Sequence, residues 1–240
     1  MLLKRAKRII IRLIQYPKLI IARLKGINFS HSFSCFAARE LINETPKTII
    51  DVGANKGDFI KASKFVFPNS KIYAFEPQEE FYSIIKNLPD VTAFNFGLWD
   101  KEGSSTFYKN RENTGASSFL KPTKNYDQFI GKIGNLSEVT LLKKRFDKLN
   151  LKIERPCFLK IDVEGAEEKV LRGFGDKLKE IDVLQIEWFF KDLHKNQMKL
   201  GKLMPLLEKY GFSGFVQIEL VYKNDKPYVC DLIFFKDKNS

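Results

Sequence analysis

Two groups of residues in this 240-residue chain carry chemistry by their type and spacing. The first is Asp51-Val52-Gly53-Ala54-Asn55-Lys56-Gly57, with Glu76 following 23 residues after Gly53. Gly53 and Gly57 let the backbone turn sharply and approach a ligand without Cβ contact. A helix starting there offers free N–H groups and a positive dipole end to a carboxylate or phosphate. Glu76 closes the next apolar run, where a carboxylate accepts both hydroxyl protons of a ribose. The Gly-x-x-x-Gly spacing lacks the G-x-G-x-x-G of dinucleotide binders, and Lys56-Gly57-Asp58 lacks the hydroxyl of a P-loop. The pattern points to a bound nucleoside; its bland alternative is a tight turn that needs glycine anyway.

The second group is acidic. Asp162 and Glu164 lie just past an apolar run over Cys157 to Ile161, and Glu187 with Trp188 ends the following run. Open α/β sheets bind ligands at these carboxyl ends. Asp162 reads as a general base or acceptor anchor, or with Glu187 as an oxygen ligand of a divalent ion such as Mg²⁺. The structural alternative is that Glu164 caps the next helix and Glu187 pairs with a Lys. Glu167 and Glu168 suit the first turn of that helix. His194 reads first as a surface loop histidine and second as a general base. His31 offers no readable partner.

Alternating elements must position these groups. Strands are expected at Thr48–Val52, Lys71–Phe75, Val91–Leu98, Cys157–Ile161 and Val183–Glu187, with a short one at Ser105–Tyr108. A closing pair runs over Phe215–Tyr222 and Tyr228–Phe235. Helices are expected at Gly57–Phe67, Glu79–Asn87, Ala166–Leu178 and Asn196–Tyr210. Alternation of this kind predicts an α/β fold: a mostly parallel seven-stranded sheet with an antiparallel edge strand and helices on both faces. Residues 109–150, rich in Asn, Ser and Lys, read as a long insertion over the ligand mouth.

On these motifs a resemblance rests. Ile49 to Gly57, Ala74-Phe75-Glu76-Pro77 and Leu159-Lys160-Ile161-Asp162-Val163-Glu164-Gly165-Ala166-Glu167 resemble the FkbM family of methyltransferases over roughly residues 47–190. The resemblance implies a class I, Rossmann-like methyltransferase fold and S-adenosyl-L-methionine as methyl donor. It implies Asp51, Gly53 and Gly57 at the methionine end of the cofactor, with Asn55 nearby and Glu76 on the ribose. Asp100 resembles the residue near the adenine, where Leu98 or Trp99 can serve by stacking instead. Family members typically methylate hydroxyl oxygens, often of sugars, so the implied acceptor is a small molecule or glycan. The catalytic candidates are then Asp162, Glu164, Glu187 and His194, since a hydroxyl nucleophile benefits from a base or a metal.

Composition sets the remaining bounds. The formal charge of +12 is uneven: residues 1–30 hold eight Lys or Arg and no acid, leaving +4 for the rest. A basic arm on a mildly basic body argues against a surface built for nucleic acid. In residues 1–16, Leu2, Leu3, Ala6, Ile9, Ile10, Leu13 and Ile14 share one helical face, while Lys4, Arg5, Arg8 and Arg12 share another. That pattern suits an anionic membrane surface, or packing on the protein's own domain. We therefore divide the chain into a basic amphipathic arm with a lead-in helix, 1–46, and a catalytic domain, 47–240. Cys35, Cys157 and Cys230 form no CxxC pair, and no run of about 18 apolar residues exists, so a cytoplasmic protein is expected, peripheral on the inner face of the membrane if the arm binds lipid. Two rival functions are an RNA-modifying methyltransferase and a non-catalytic membrane adaptor with a retained nucleoside pocket. The turn after the fourth strand, Asp162-Val163-Glu164-Gly165, lacks the Asn/Asp-Pro-Pro-aromatic pattern used on base amines.

Overall fold

The computed structural model describes residues 16–130, 132–223 and 225–237, so the amphipathic pattern of residues 1–15 lies outside it. Strand β1 (Thr48–Val52) is buried at all five positions, as its unbroken apolar run requires. Ile49 points to one side of the sheet and Ile50 to the other, each into its own core cluster. Burial on both faces is the signature of a parallel sheet covered by helices. Strands β2 (Lys71–Phe75) and β7 (Cys157–Ile161) flank β1 in parallel, with β3 (Val91–Phe94) and β8 (Val183–Phe189) outside them.

The remaining strands of this sheet are β9 (Gly214–Lys223) and β10 (Lys226–Phe235). The order across the seven strands is β3-β2-β1-β7-β8-β10-β9. The antiparallel strand, expected at the edge, lies one place in: β10 pairs antiparallel with both β8 and β9. The chain reaches the edge in β9, and a tight turn returns the last strand, of equal length, between β8 and β9.

Helix α1 (Lys18–Leu24) leads into α2 (Phe29–Ile42), which Asn28 caps by accepting the N–H of His31. Cys35, Ala38 and Ile42 of α2 share a core with Ile49, Phe59 and Phe158, so this lead-in helix covers one face of the sheet. Helix α3 (Asp58–Val66) lies on the same face. Helix α4 (Glu79–Ile85) follows β2. On the other face are α6 (Glu167–Phe174) and α7 (Leu200–Glu208), contributing Val170, Leu171, Phe174, Leu203 and Leu207. Helix α6 stops four residues earlier than the apolar spacing suggests, because Gly175 takes φ +52° and the chain tightens into a 3-10 turn.

The expected third strand breaks in two. After Phe94 the chain bends, held by the Asn95 amide donating to the carbonyls of Glu76 and Pro77. Gly97–Leu98 (β4) then leaves the main sheet and joins a second, three-stranded one with β5 (Gly103–Asn110) and β6 (Leu136–Lys144). The insertion therefore carries a strand that its sequence hides. Most of β6 is exposed or half-buried, so it shows no sustained alternation. A short helix, α5 (Asn125–Phe129), lies between β5 and β6.

Candidate active site

The end of β1 is fastened to β2 by two bonds, from the N–H groups of Gly53 and Ala54 to the carbonyl of Phe75. Gly53 has φ +86°, and a Cβ there would lie 1.9 Å from the backbone oxygen of Asp162. Only glycine lets β1 and the end of β7 come this close. Asn55, also at positive φ, and Glu76 complete the wall of a cavity with about 620 Å³ of open space.

Glu76 is 3% exposed. One carboxylate oxygen accepts the N–H of Asn55 at 2.8 Å and the other that of Gln78 at 2.9 Å. Burial pushes its acid up to about 7, against the pull of those bonds. Each oxygen keeps a lone pair beyond the one it uses here. Leu98 and Trp99 form an apolar wall, and Thr114, Gly115, Ser117 and Phe119 of the insertion close the cavity. The insertion is tied down by Ser118, whose hydroxyl donates to the carbonyl of Glu164 at 2.8 Å.

Three expected cofactor contacts lie away from this cavity. Asp51 is fully buried, with one oxygen 3.5 Å from the ammonium of Lys160. Gly57, at φ +80°, faces the side chains of Ile85 and Leu88. Asp100 pairs with Lys169 at 3.1 Å and does not line the cavity, whereas Leu98 and Trp99 do. Gly53, Asn55 and Glu76 do line the cavity.

Asp162 stands at the rim, with 29% of its side chain exposed and an oxygen 3.1 Å from Lys160. It brings a carboxylate row into register across the sheet. Ile161 pairs with Ile186, so Asp162 and Glu187 come next at the same level; Glu187 pairs with Asp231, and Asp231 with Glu219. Asp162, Glu164 and Glu187 each offer an oxygen within 4.8 Å of the others. Glu164, at φ +55°, has one buried oxygen without a hydrogen-bond partner. Burial and the charges of neighbouring carboxylates push the acids of Glu164 and Glu187 well above their ordinary range. The same causes raise Asp231 to about 7. Glu164 does not cap helix α6. No side chain does: the N-cap is Ala166, and Glu167 in the first turn accepts the N–H of Gly165, the residue before that cap, at 2.9 Å.

His194 is 1% exposed, contrary to the surface position expected of it. Burial lowers its imidazole to about 4, and its ring meets Tyr126 edge-on at 5.6 Å. The residues that the sequence reading passed over are Lys160 and His31. Lys160 is a charge inside an otherwise apolar, fully buried strand, which was the available signal. Helix α2 brings His31 within the electrostatic reach of Lys160 and Asp162, a meeting no sequence spacing reveals.

Among the described residues, no helix is long and apolar enough to cross a membrane. Residues 51–213 match the methyltransferase FkbM domain. "Methyltransferase 1" of Beauveria bassiana is 31% identical over 70% of this chain and 73% of its own length. "Methyltransferase sdnD" of Sordaria araneosa is 30% identical over 54% of this chain, which spans 61% of that relative. The solved structure of magnesium protoporphyrin IX methyltransferase from Synechocystis PCC 6803 aligns over 87% of this chain and 80% of that one, at 12% identity and a TM-score of 0.46. With its Gly-turn cavity, buried Glu76 and match from Asp51 onward, the chain belongs to the FkbM methyltransferase family and is an S-adenosylmethionine-dependent methyltransferase of that type.

Proposed function

We propose that the protein methylates a hydroxyl oxygen of a small-molecule or glycan acceptor, most naturally a sugar. The observation that carries this reading is Asp162, a carboxylate at the cavity rim within reach of Glu164 and Glu187. S-adenosylmethionine, when bound, supplies a methyl group on a positively charged sulfur. The residues present fit it: Glu76 has lone pairs left for two ribose hydroxyls, Gly53 and Asn55 line the turn, and Leu98 with Trp99 give an apolar wall for the adenine. Asp162 then accepts the proton of the acceptor hydroxyl and orients its oxygen, while the insertion held by Ser118 keeps water out. A relative from Sinorhizobium fredii, 22% identical over 78% of this chain, is named 2-O-methyltransferase NoeI, which favours a hydroxyl acceptor.

A second role for the same carboxylates is to hold Mg²⁺ between Asp162 and Glu187, with Glu164 as a third oxygen donor. His194, buried and neutral, is the remaining candidate base. The test is transfer of a tritiated methyl group from S-adenosylmethionine to fractionated polar small molecules and glycans, with and without EDTA. Label in a base-stable, neutral product supports hydroxyl methylation, and label found only in RNA refutes it.

We also infer that the arm docks on an anionic membrane surface from the cytoplasmic side. The observation behind this is α1, which buries Leu19 and Ala22 yet leaves Ile20 and Ile21 47% exposed and Leu24 82% exposed. Lys18 and Arg23 in the same helix and Lys25 just after it are exposed as well. Basic groups beside exposed aliphatic side chains are the combination that anionic lipid attracts.

A further inference from the structure

We infer that Lys160 is a positioning residue of the methyl transfer: braced from behind by Asp51, its ammonium fixes the carboxylate of Asp162 at the cavity rim. The inference rests on the reading of Asp162 given above. Lys160 occupies the fourth position of β7, a strand buried throughout, and is itself 4% exposed. Its register partner on β1 is Asp51, and Asp162, two residues along the chain, falls on the same face. The ammonium lies 3.5 Å from Asp51 and 3.1 Å from Asp162, with the ring of Phe59 at 5.3 Å. These contacts line up core anion, cation and rim anion.

Structural pairing alone does not explain this arrangement. A buried lysine needs one compensating carboxylate, and Asp51, wholly enclosed, is available for that. Yet the ammonium lies closer to Asp162, whose side chain is partly exposed and which water could solvate. Asp162 also has reason to move. Glu164 and Glu187 each bring an oxygen within 4.8 Å of it, and the like-charge conflict that raises their acids bears on the Asp162 carboxylate whenever either of them is ionised. Lys160 opposes that conflict. The other charged or titratable groups that interact with it, Asp231 on β10, Glu164, and His31 and Cys35 on α2, do not take its place. Because Lys160 does not line the cavity, it acts through Asp162 and not on the acceptor.

Removing Lys160 alone would strand Asp51 in the core, so the informative variant is the pair Asp51→Asn with Lys160→Met, which deletes both buried charges at similar volume. Melting, calorimetric affinity for S-adenosylhomocysteine, and kcat and KM for the acceptor found by tritium transfer are measured on it. The pair should melt as a folded protein and keep cofactor-product affinity within about threefold. Its kcat should fall by about 10²-fold or more, the scale of a displaced base, with KM little changed. The discriminating step adds Lys160→Met and Asp51→Asn to Asp162→Asn, where a residue acting through Asp162 has nothing left to act on. There the further loss should be under about twofold, because coupled residues are not additive. An equal loss on both backgrounds would mark Lys160 as merely structural and overturn the inference. So would a folded pair that turns over like the natural protein. If the pair fails to fold, Asp51→Asn with Lys160→Gln, which places two amides there and strands no charge, is carried through the same two backgrounds and judged by the same outcomes. A fully active Asp162→Asn sinks the functional reading and this inference with it, whereas an inactive Asp162→Asn beside active Lys160 variants sinks this inference alone.

Discussion

Replacing Glu76 by Gln tests the cofactor half of the site with little change of shape. In the folded protein the carboxylate already accepts two backbone N–H bonds, from Asn55 and Gln78, and is almost wholly buried. What remains for a ribose is one lone pair on each oxygen. A charge-assisted hydrogen bond contributes about 1.5–3 kcal/mol net. Losing the charge, and one of the two acceptors with it, should therefore weaken binding by roughly 10- to 150-fold. Gln retains one carbonyl oxygen for either Asn55 or Gln78, so one buried donor is left, at about 1–3 kcal/mol of stability. At about 2–4 °C per kcal/mol for a chain of this size, that lowers the melting point by roughly 2–12 °C without abolishing folding.

The raised acid of Glu76 gives the same experiment a second axis. With its acid near 7, the cofactor-free site is protonated below that pH, and a protonated carboxyl cannot accept from both ribose hydroxyls. Affinity for S-adenosylhomocysteine should fall about tenfold per pH unit below 7 and level off above about 8. The sign for stability is opposite. A carboxyl whose acid is raised on folding favours the cofactor-free fold at low pH, and that increment is lost as pH rises through about 7. Other carboxylates of the site, Glu167 and Asp231, also titrate near 7, so the comparison with Glu76→Gln isolates the effect. Calorimetry from pH 5.5 to 8.5 on both proteins supplies the measurement. A folded Gln variant that binds as tightly as the natural protein, or whose pH slope is just as steep, refutes the assignment of Glu76 to the ribose.

Asp162→Asn should leave cofactor affinity within a few-fold but lower turnover by about 10²–10⁴, the range for a positioned base. Activity that EDTA abolishes and Mg²⁺ restores would assign Asp162 and Glu187 to a metal, and indifference to EDTA would remove that role. Gly53→Ala must separate β1 from β7 by more than an ångström at a strained φ, so it should destabilise the fold by at least about 2 kcal/mol; a melting point within 2 °C of the natural one would mean the turn is softer than its geometry implies. For the arm, deleting residues 1–26 is a poor test, because it removes Tyr16 and Leu19 from their cluster with Phe36. Ile20→Ser, Ile21→Ser and Leu24→Ser together spare that cluster and should cut sedimentation with anionic vesicles at least tenfold. An unmodified chain that ignores those vesicles at low salt ends the membrane reading.

The two halves of the site differ in how far their residues could be read from sequence, and the reason is geometric. Gly53, Asn55 and Glu76 sit on one β-turn-α-β unit, where local backbone needs dictate residue type: Gly53 is glycine because a Cβ would meet the Asp162 carbonyl. The motif therefore speaks for the place. Asp51 and Gly57 belong to the same motif yet do not line the cavity, one lying beside Lys160 and the other against Ile85 and Leu88. Spacing alone cannot separate a residue that lines the cavity from one that lies behind the turn.

The carboxylate row beside Asp162 is assembled across strands, and register decides it. Asp162, Glu187, Asp231 and Glu219 come from four strands, and they share a row only because β10 inserts between β8 and β9. If the last strand were at the edge, as the hairpin first suggests, Asp231 would lie a strand farther from Asp162 and the row would be broken. His31 comes from α2, outside the span that matches the family, and its nearness to Lys160 and Asp162 depends on how that helix packs against α3. Lys160 could have been found earlier. A charge at the centre of a buried parallel strand is unfavourable unless opposite charges flank it, so its presence requires carboxylates on the adjoining strand or two residues along its own. Asp51 and Asp162 meet both requirements, and the cation that the fold must neutralise is thereby aimed at the carboxylate that the proposed chemistry must hold still.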